Sequence, residues 1–176
     1  MQCPICNSKK GKRVCLLTAT RVCSSCCGTA RKASTCQVCS YYQLPKRNHK
    51  NIPFYLPNEM DGNAERKAIA YVIEAALVTY DYSTNNRMRD DDAIRIMEML
   101  FDTYYFNEAH ISEGNELLEN GYKCVIDYIR QDLPSVERNE LIKIIGAIYF
   151  VARRRNIGRR DYLAMIRKYV GINVGD

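Results

Sequence analysis

The sequence predicts a chain in two parts: a small cysteine-rich head of short strands and turns held by metal, then an all-α bundle of about five helices. Three observations predict it. Eight of the nine cysteines fall before residue 40. Residues 63–171 repeat apolar side chains at the three- and four-residue spacing of a buried helix face. Charge divides nearly at the same place: residues 1–50 hold ten Lys or Arg and no acid, giving +10, whereas residues 51–176 carry −4. At 176 residues, 47% hydrophobic and 26% charged, the chain can build a core and is not disordered as a whole. Its longest apolar stretch, roughly Ile144 to Ala152, is too short to cross a bilayer, so no membrane partner is expected. Met1-Gln2-Cys3-Pro4 lacks the apolar run of a secretory signal, and a cytoplasmic location follows as the expectation.

The head spans residues 1–42. Three Cys-x-x-Cys pairs occur there, Cys3/Cys6, Cys23/Cys26 and Cys36/Cys39. Two residues between thiolates let a tight knuckle aim both sulfurs at one ion, and two knuckles complete a tetrahedral site. Cys27 directly follows Cys26, so its side chain leaves in another direction and suits a second ion. Cys15, on an expected strand at 13–17, is its natural companion. The first zinc is therefore assigned to Cys3, Cys6, Cys23 and Cys26, and the second to Cys15, Cys27, Cys36 and Cys39. The interleaved sets make a two-zinc cross-brace. So short a segment, with Val14, Leu16, Leu17 and Val22 as nearly its whole apolar stock, cannot fold on burial alone; two Zn²⁺ must supply the free energy. Loading deprotonates the ligands and leaves the head at about +6. Gly28 is expected in a left-handed turn after the second knuckle.

Other uses of the thiols stay open at this level. Disulfides conflict with a reducing compartment. An iron–sulfur cluster also takes four cysteines, and Cys-x-x-Cys occurs in redox proteins, though no βαβ pattern accompanies it here. His49 could replace one cysteine. A catalytic zinc would want His or Glu nearby, and residues 1–42 contain none.

The string Val22-Cys23-Ser24-Ser25-Cys26-Cys27-Gly28-Thr29-Ala30-Arg31, with Cys3-Pro4-Ile5-Cys6 before it and Cys36-Gln37-Val38-Cys39-Ser40-Tyr41-Tyr42 after it, resembles the head of uncharacterised prokaryotic zinc-finger proteins. The Cys-Cys-Gly-Thr element carries the resemblance. More distantly, the interleaved pairs are similar to B-box, MYND and HIT-type cross-brace fingers, which implies a role in protein contacts with no catalysis at the metal. The chain departs from B-box and MYND patterns in using Cys where they often use His near the end. The resemblance covers about 42 residues and implies nothing for residues 63–176.

Residues 43–62, with Pro45, Pro53 and Pro57, read as an extended basic connector. Five helical segments follow over residues 63–176. The first, Ala64 to Tyr80, has Asn63 as its cap and Ile69, Val72, Ile73, Ala76, Leu77 and Tyr80 on one face. The second follows Asp90-Asp91-Asp92, acids suited to the positive end of a helix dipole. A third runs near Asn115 to Arg130. The fourth, Val136 to Arg154, is apolar around much of its circumference and should be the most buried. A fifth spans Arg159 to Val170, with Gly171 as its stop.

Two partners fit this layout. Nucleic acid would meet Lys9, Lys10, Lys12, Arg13, Arg21, Arg31 and Lys32 on the head, with Tyr41, Tyr42 and Tyr55 for stacking. Arg153-Arg154-Arg155, with Arg159 and Arg160 between the last two helices, forms a second basic group that weakly suggests a helix-turn-helix. The alternative partner is an unidentified protein, with the chain acting as an adaptor. A catalytic role is not expected: Asp90-Asp91-Asp92 fits helix capping, and Glu108 with His110 lacks a nucleophile motif. No small-molecule substrate is implied, and Cys124 reads as a small buried hydrophobe.

Overall fold

A computed structural model describes residues 1–31, 33–36, 39–41, 47–108, 110 and 114–170. The chain divides into two compact units, Met1–Asn48 and His49–Asp176.

In the first unit, strands β1 (Arg13–Val14) and β2 (Arg21–Val22) pair antiparallel, Arg13 opposite Val22 and Val14 opposite Arg21. The turn between them is closed by the Cys15 N–H on the Thr20 carbonyl at 2.9 Å. Gly11 makes a further layer possible: a Cβ there would lie 2.1 Å from the Arg21 carbonyl oxygen, so only glycine lets residues 1–12 lie against β2. Two short helices follow, α1 (Ser24–Thr29) and α2 (Ala33–Cys36). Strands and turns alone were expected, and Gly28 in a left-handed turn; instead Gly28 lies inside α1. The cause is local. The Cys23 sulfur accepts the Cys26 N–H at 3.4 Å and caps a helix whose bonds then run on from Cys27 to the Cys23 carbonyl. Only Cys3, Val22 and Cys23 are fully buried in this unit's apolar cluster among the described residues.

The second unit holds α3 (Pro57–Asp61), α4 (Ala64–Ser83), α5 (Asp90–Tyr104), α6 (Glu116–Asp132), α7 (Arg138–Arg155) and α8 (Asp161–Val170), preceded by a 3-10 turn at His49–Asn51. The five expected segments correspond to α4 through α8. Asn63 caps α4 through the Arg66 N–H at 3.0 Å, as its side-chain type predicts. α4 packs on α6, α8 and α7, and α5 on α7 and α6. α7 is buried at every position from Ile144 to Tyr149 because it is covered on more than one side.

Part of that cover is the segment read as connector. Pro57 starts α3, where its missing N–H costs nothing, and the Leu56 N–H bonds the Glu59 carboxylate at 2.7 Å. Ahead of it, residues 49–56 form a strap with Ile52 and Tyr55 buried. The Tyr55 N–H reaches the Lys143 carbonyl at 3.3 Å, and Pro53 crosses α7 so closely that a Cβ on Gly146 would lie 2.5 Å from its oxygen. Tyr55 is clamped: the Arg66 guanidinium lies 3.7 Å over its ring, its hydroxyl donates to Glu140, and Arg66 Nε bonds Glu140 at 2.8 Å.

The acidic triplet serves three structural ends. Asp92 accepts the Arg89 N–H at 2.8 Å and closes the start of α5. Asp91 accepts from the Asn156 side chain at 2.6 Å. Asp90, fully buried, turns away and accepts the Tyr162 and Leu163 N–H groups, both at 3.0 Å, so it caps α8.

Two glutamates give the unit opposite responses to pH. The Tyr55 hydroxyl, with Arg66, holds the Glu140 carboxyl below its ordinary value. Its contribution is present above the unfolded value and lost as pH falls through the folded one. Burial pushes Glu74 up, although the Tyr169 and Tyr162 hydroxyls donate to it at 2.5 and 3.1 Å. There the native state holds its proton longer, and stability falls as pH rises from the unfolded value through the raised one. Urea midpoints across about pH 3–7 should lose part of the acid-side decline in Glu140→Gln, and the opposing slope in Glu74→Gln.

Candidate metal centre

The first knuckle is shaped by its backbone. The Asn7 N–H bonds the Cys3 carbonyl at 2.8 Å, and Asn7 itself takes a left-handed φ of 51°, which asparagine tolerates better than most residues. The Cys3 N–H returns to the Lys9 carbonyl at 2.8 Å. The second knuckle is the first turn of α1, where Cys23 caps the helix and Cys26 lies one turn on. Together they bring the sulfurs of Cys3, Cys6, Cys23 and Cys26 within 4.8 Å of one another, with Cys6 and Cys23 at 3.9 Å. A tetrahedral ion with sulfur at about 2.3 Å needs edges of about 3.8 Å, so the cage is near the required size. Its donors are all sulfur, and no Asp, Glu or His lies in residues 1–48. This chemistry fits a thiophilic divalent ion such as zinc.

Electrostatics in the cage point the same way. The Ser8 hydroxyl, helped by the Ser8 and Lys9 N–H groups, lowers the Cys6 thiol to about 5. Cys3 is also lowered, chiefly by the Cys23 N–H. Cys26 is pushed up to about 12 by its hydrogen bond with Cys23 and by the crowding of the other sulfurs. Four sulfurs this close cannot all ionise on their own. A bound cation removes that conflict.

Cys15, Cys27, Cys36 and Cys39 meet differently. All four line one shallow depression with Ile5, Val14, Leu16 and Leu17. Their sulfurs, however, do not come within ligand distance as a group, so one four-sulfur cage is formed among the described residues. Cys27 does leave the backbone away from the first cage, where its sulfur accepts from Arg13 at 3.8 Å. The Thr18 hydroxyl, then backbone N–H groups, lowers the Cys15 thiol. The Cys39 N–H bonds the Cys36 carbonyl at 2.9 Å, and Gln37 and Val38 between them lie outside the described residues.

The expected contact residues divide by environment. Lys9, Lys10, Lys12 and Arg21 are exposed, Lys9 donating to the Ser25 hydroxyl at 3.2 Å. Arg13 is half-buried over the Tyr41 ring at 5.2 Å, Arg31 is half-buried, and Lys32 and Tyr42 lie outside the described residues. Tyr55 is withdrawn into the clamp and offers no free ring to a base. Arg153, Arg154 and Arg155 are exposed on the last turn of α7. Arg160 instead turns inward, pairing with Asp81 at 2.7 Å, a partner its sequence context gave no sign of.

Of the remaining candidates, His49 is buried in the second unit with Nε2 3.1 Å from Asp102. His110 pairs with Glu119 on α6 and stacks on Tyr122 at 4.5 Å. Cys124 is half-buried, its thiol pushed up by burial and set 3.9 Å from the Ala76 carbonyl. Among the described residues no helix is long and apolar enough to cross a membrane. No family model, curated protein or solved structure matches the chain, so the sulfur cage itself carries the chemistry inferred for it.

Proposed function

We propose that the chain is a non-enzymatic, cytoplasmic binding protein whose zinc-held head contacts nucleic acid. The observation that carries this reading is a caged segment without a single carboxylate side chain, bearing exposed Lys9, Lys10, Lys12 and Arg21. A second Zn²⁺ drawing Cys15, Cys27, Cys36 and Cys39 together would complete the cross-brace suggested by the zinc-finger resemblance. A fixed cluster of cations beside a small fold attracts phosphates and releases their counterions. Exposed Ile5, Leu16 and Leu17, each half or more accessible, support a second reading, contact with a protein partner in the manner of cross-brace fingers.

Salt separates the two. Binding of mixed-sequence DNA and RNA should weaken linearly in log–log form as salt rises, and Lys10→Gln with Lys12→Gln should flatten that slope by about 1.4 to 1.8. Absence of binding to either nucleic acid at low salt would remove the first reading. Partners captured by the intact protein that survive nuclease treatment would favour the second.

A further inference from the structure

A cleft of about 370 Å³ opens beside the strap, within the second unit. Its apolar side is Ile52, Phe54 and Phe150, and its cationic side is Lys50, Arg153 and Arg154. The size is within the about 300–1,000 Å³ of small-molecule sites.

Both guanidiniums are laid back along α7 onto rings four residues earlier. Arg153 lies 5.5 Å over Tyr149 and Arg154 5.6 Å over Phe150. Complementing the negative end of α7 would explain arginines here. It does not explain side chains held against aromatic faces at the mouth of a cleft. Neither guanidinium meets a carboxylate among the described residues; Arg153 hydrogen-bonds the Tyr149 side chain, and the other N–H groups of the pair face a ligand. Two adjacent planar donors suit phosphate oxygens better than a single carboxylate. On the other side, Phe54 and Phe150 stack at 5.0 Å and 10°, each 37% exposed; with Arg154 over Phe150, the outer face of Phe54 is the flat apolar surface. A planar ring against that surface with phosphates toward the arginines satisfies both halves.

From this juxtaposition we infer that the cleft binds a nucleotide, base against the Phe54 ring, phosphates on Arg153 and Arg154. The ligand is a nucleoside phosphate, free or as one unit of a single strand. The inference is of binding: His49 lines the cleft, with its Nε2 turned to Asp102 at 3.1 Å. The inference concerns the helical unit and does not rest on the head.

The test is calorimetric titration of the full-length protein with ADP and, separately, with pyrophosphate. ADP should saturate the protein and bind at least tenfold more tightly than pyrophosphate. Arg153→Gln with Arg154→Gln, both on the surface, should weaken ADP at least tenfold with an unchanged thermal melt. Phe54→Leu, which keeps an apolar wall, should weaken ADP at least threefold and leave pyrophosphate unaffected. Displacement of ADP by ten-residue oligo(dT) assigns the site to a strand, and failure to displace assigns it to free nucleotide; either supports the inference. No saturation by ADP, equal affinity for pyrophosphate, or an unchanged double arginine variant would overturn it. Because ADP is read at the cleft and the head by the salt slope on long nucleic acid, either can fail alone.

Discussion

Chelating the metal from the Cys3–Cys6–Cys23–Cys26 cage is expected to unfold the head and leave the helical unit melting as before. The two units hold themselves together by different means. The second has an extensive core running from Ile52 to Val170, whereas among the described residues the apolar cluster of the first buries only Cys3, Val22 and Cys23 completely. So small a cluster cannot offset the entropy of ordering about forty residues. A structural zinc there would contribute about 10–16 kcal/mol near neutral pH and so outweigh every other source of stability in that unit. Cys23→Ala should act like chelation, because it removes both a ligand and the cap of α1. Cys124→Ser, outside the cage, should release no metal. Metal content by mass spectrometry, amide dispersion by NMR and helix melting by circular dichroism read the three parts separately. A chelated protein that keeps dispersed amide signals from residues 1–31 would show that the fold does not depend on the ion. Acid should mimic the chelator, since protons compete with metal for the thiolates.

Arg160→Ala is expected to destabilise the helical unit by about 3 kcal/mol. Asp81 has a side chain only 2% exposed, and Arg160 holds it with two contacts, at 2.7 and 3.3 Å. Truncation leaves a buried carboxylate short of its main partner. The loss falls at the low end of the about 3–5 kcal/mol for broken buried pairs because Arg160 is itself a third exposed and Arg167 stands 3.5 Å from the same carboxylate. Arg160 also donates to the Asn86 and Met88 carbonyls, so it ties down a turn where Asn85 and Asn86 take left-handed φ of 55° and 60°. Arg160→Lys should recover part of the stability, as a point charge without the fork. Urea midpoints measure both, and a change in Arg160→Ala below about 0.5 kcal/mol would mean that the pair contributes no more than an ordinary surface contact.

The long helices were legible because their side chains obey a single rule. Ile69, Ile73, Ala76 and Leu77 repeat at helical spacing, and they are buried where that spacing places them. α1 was not legible: Cys-Ser-Ser-Cys-Cys-Gly has no apolar stripe, and its helix is started by a sulfur accepting a backbone N–H. The strap escaped for the opposite reason. Ile52 and Tyr55 make a single three-residue spacing interrupted by Pro53, too little to set a period, and the prolines around them look like a linker until α7 is there to receive them. Arg160 shows a further limit, since a basic residue in a basic run gives no sign of an acid 79 positions away. In the cage, spacing within each knuckle named the ligands, while the pairing of knuckles depended on hairpin geometry. For Cys15, Cys27, Cys36 and Cys39 the same spacing brought the residues to one depression without closing them into a cage.

Gly146 and the strap that crosses it decide how far the chain can be trimmed. A piece beginning at Asn63 would bare the groove along α7, uncovering Gly146 and the face of Phe150 and leaving Arg66 and Glu140 without their tyrosine. The smallest self-sufficient helical fragment therefore starts at His49, and amputation beyond that residue should turn a well-behaved core into one that sticks to itself.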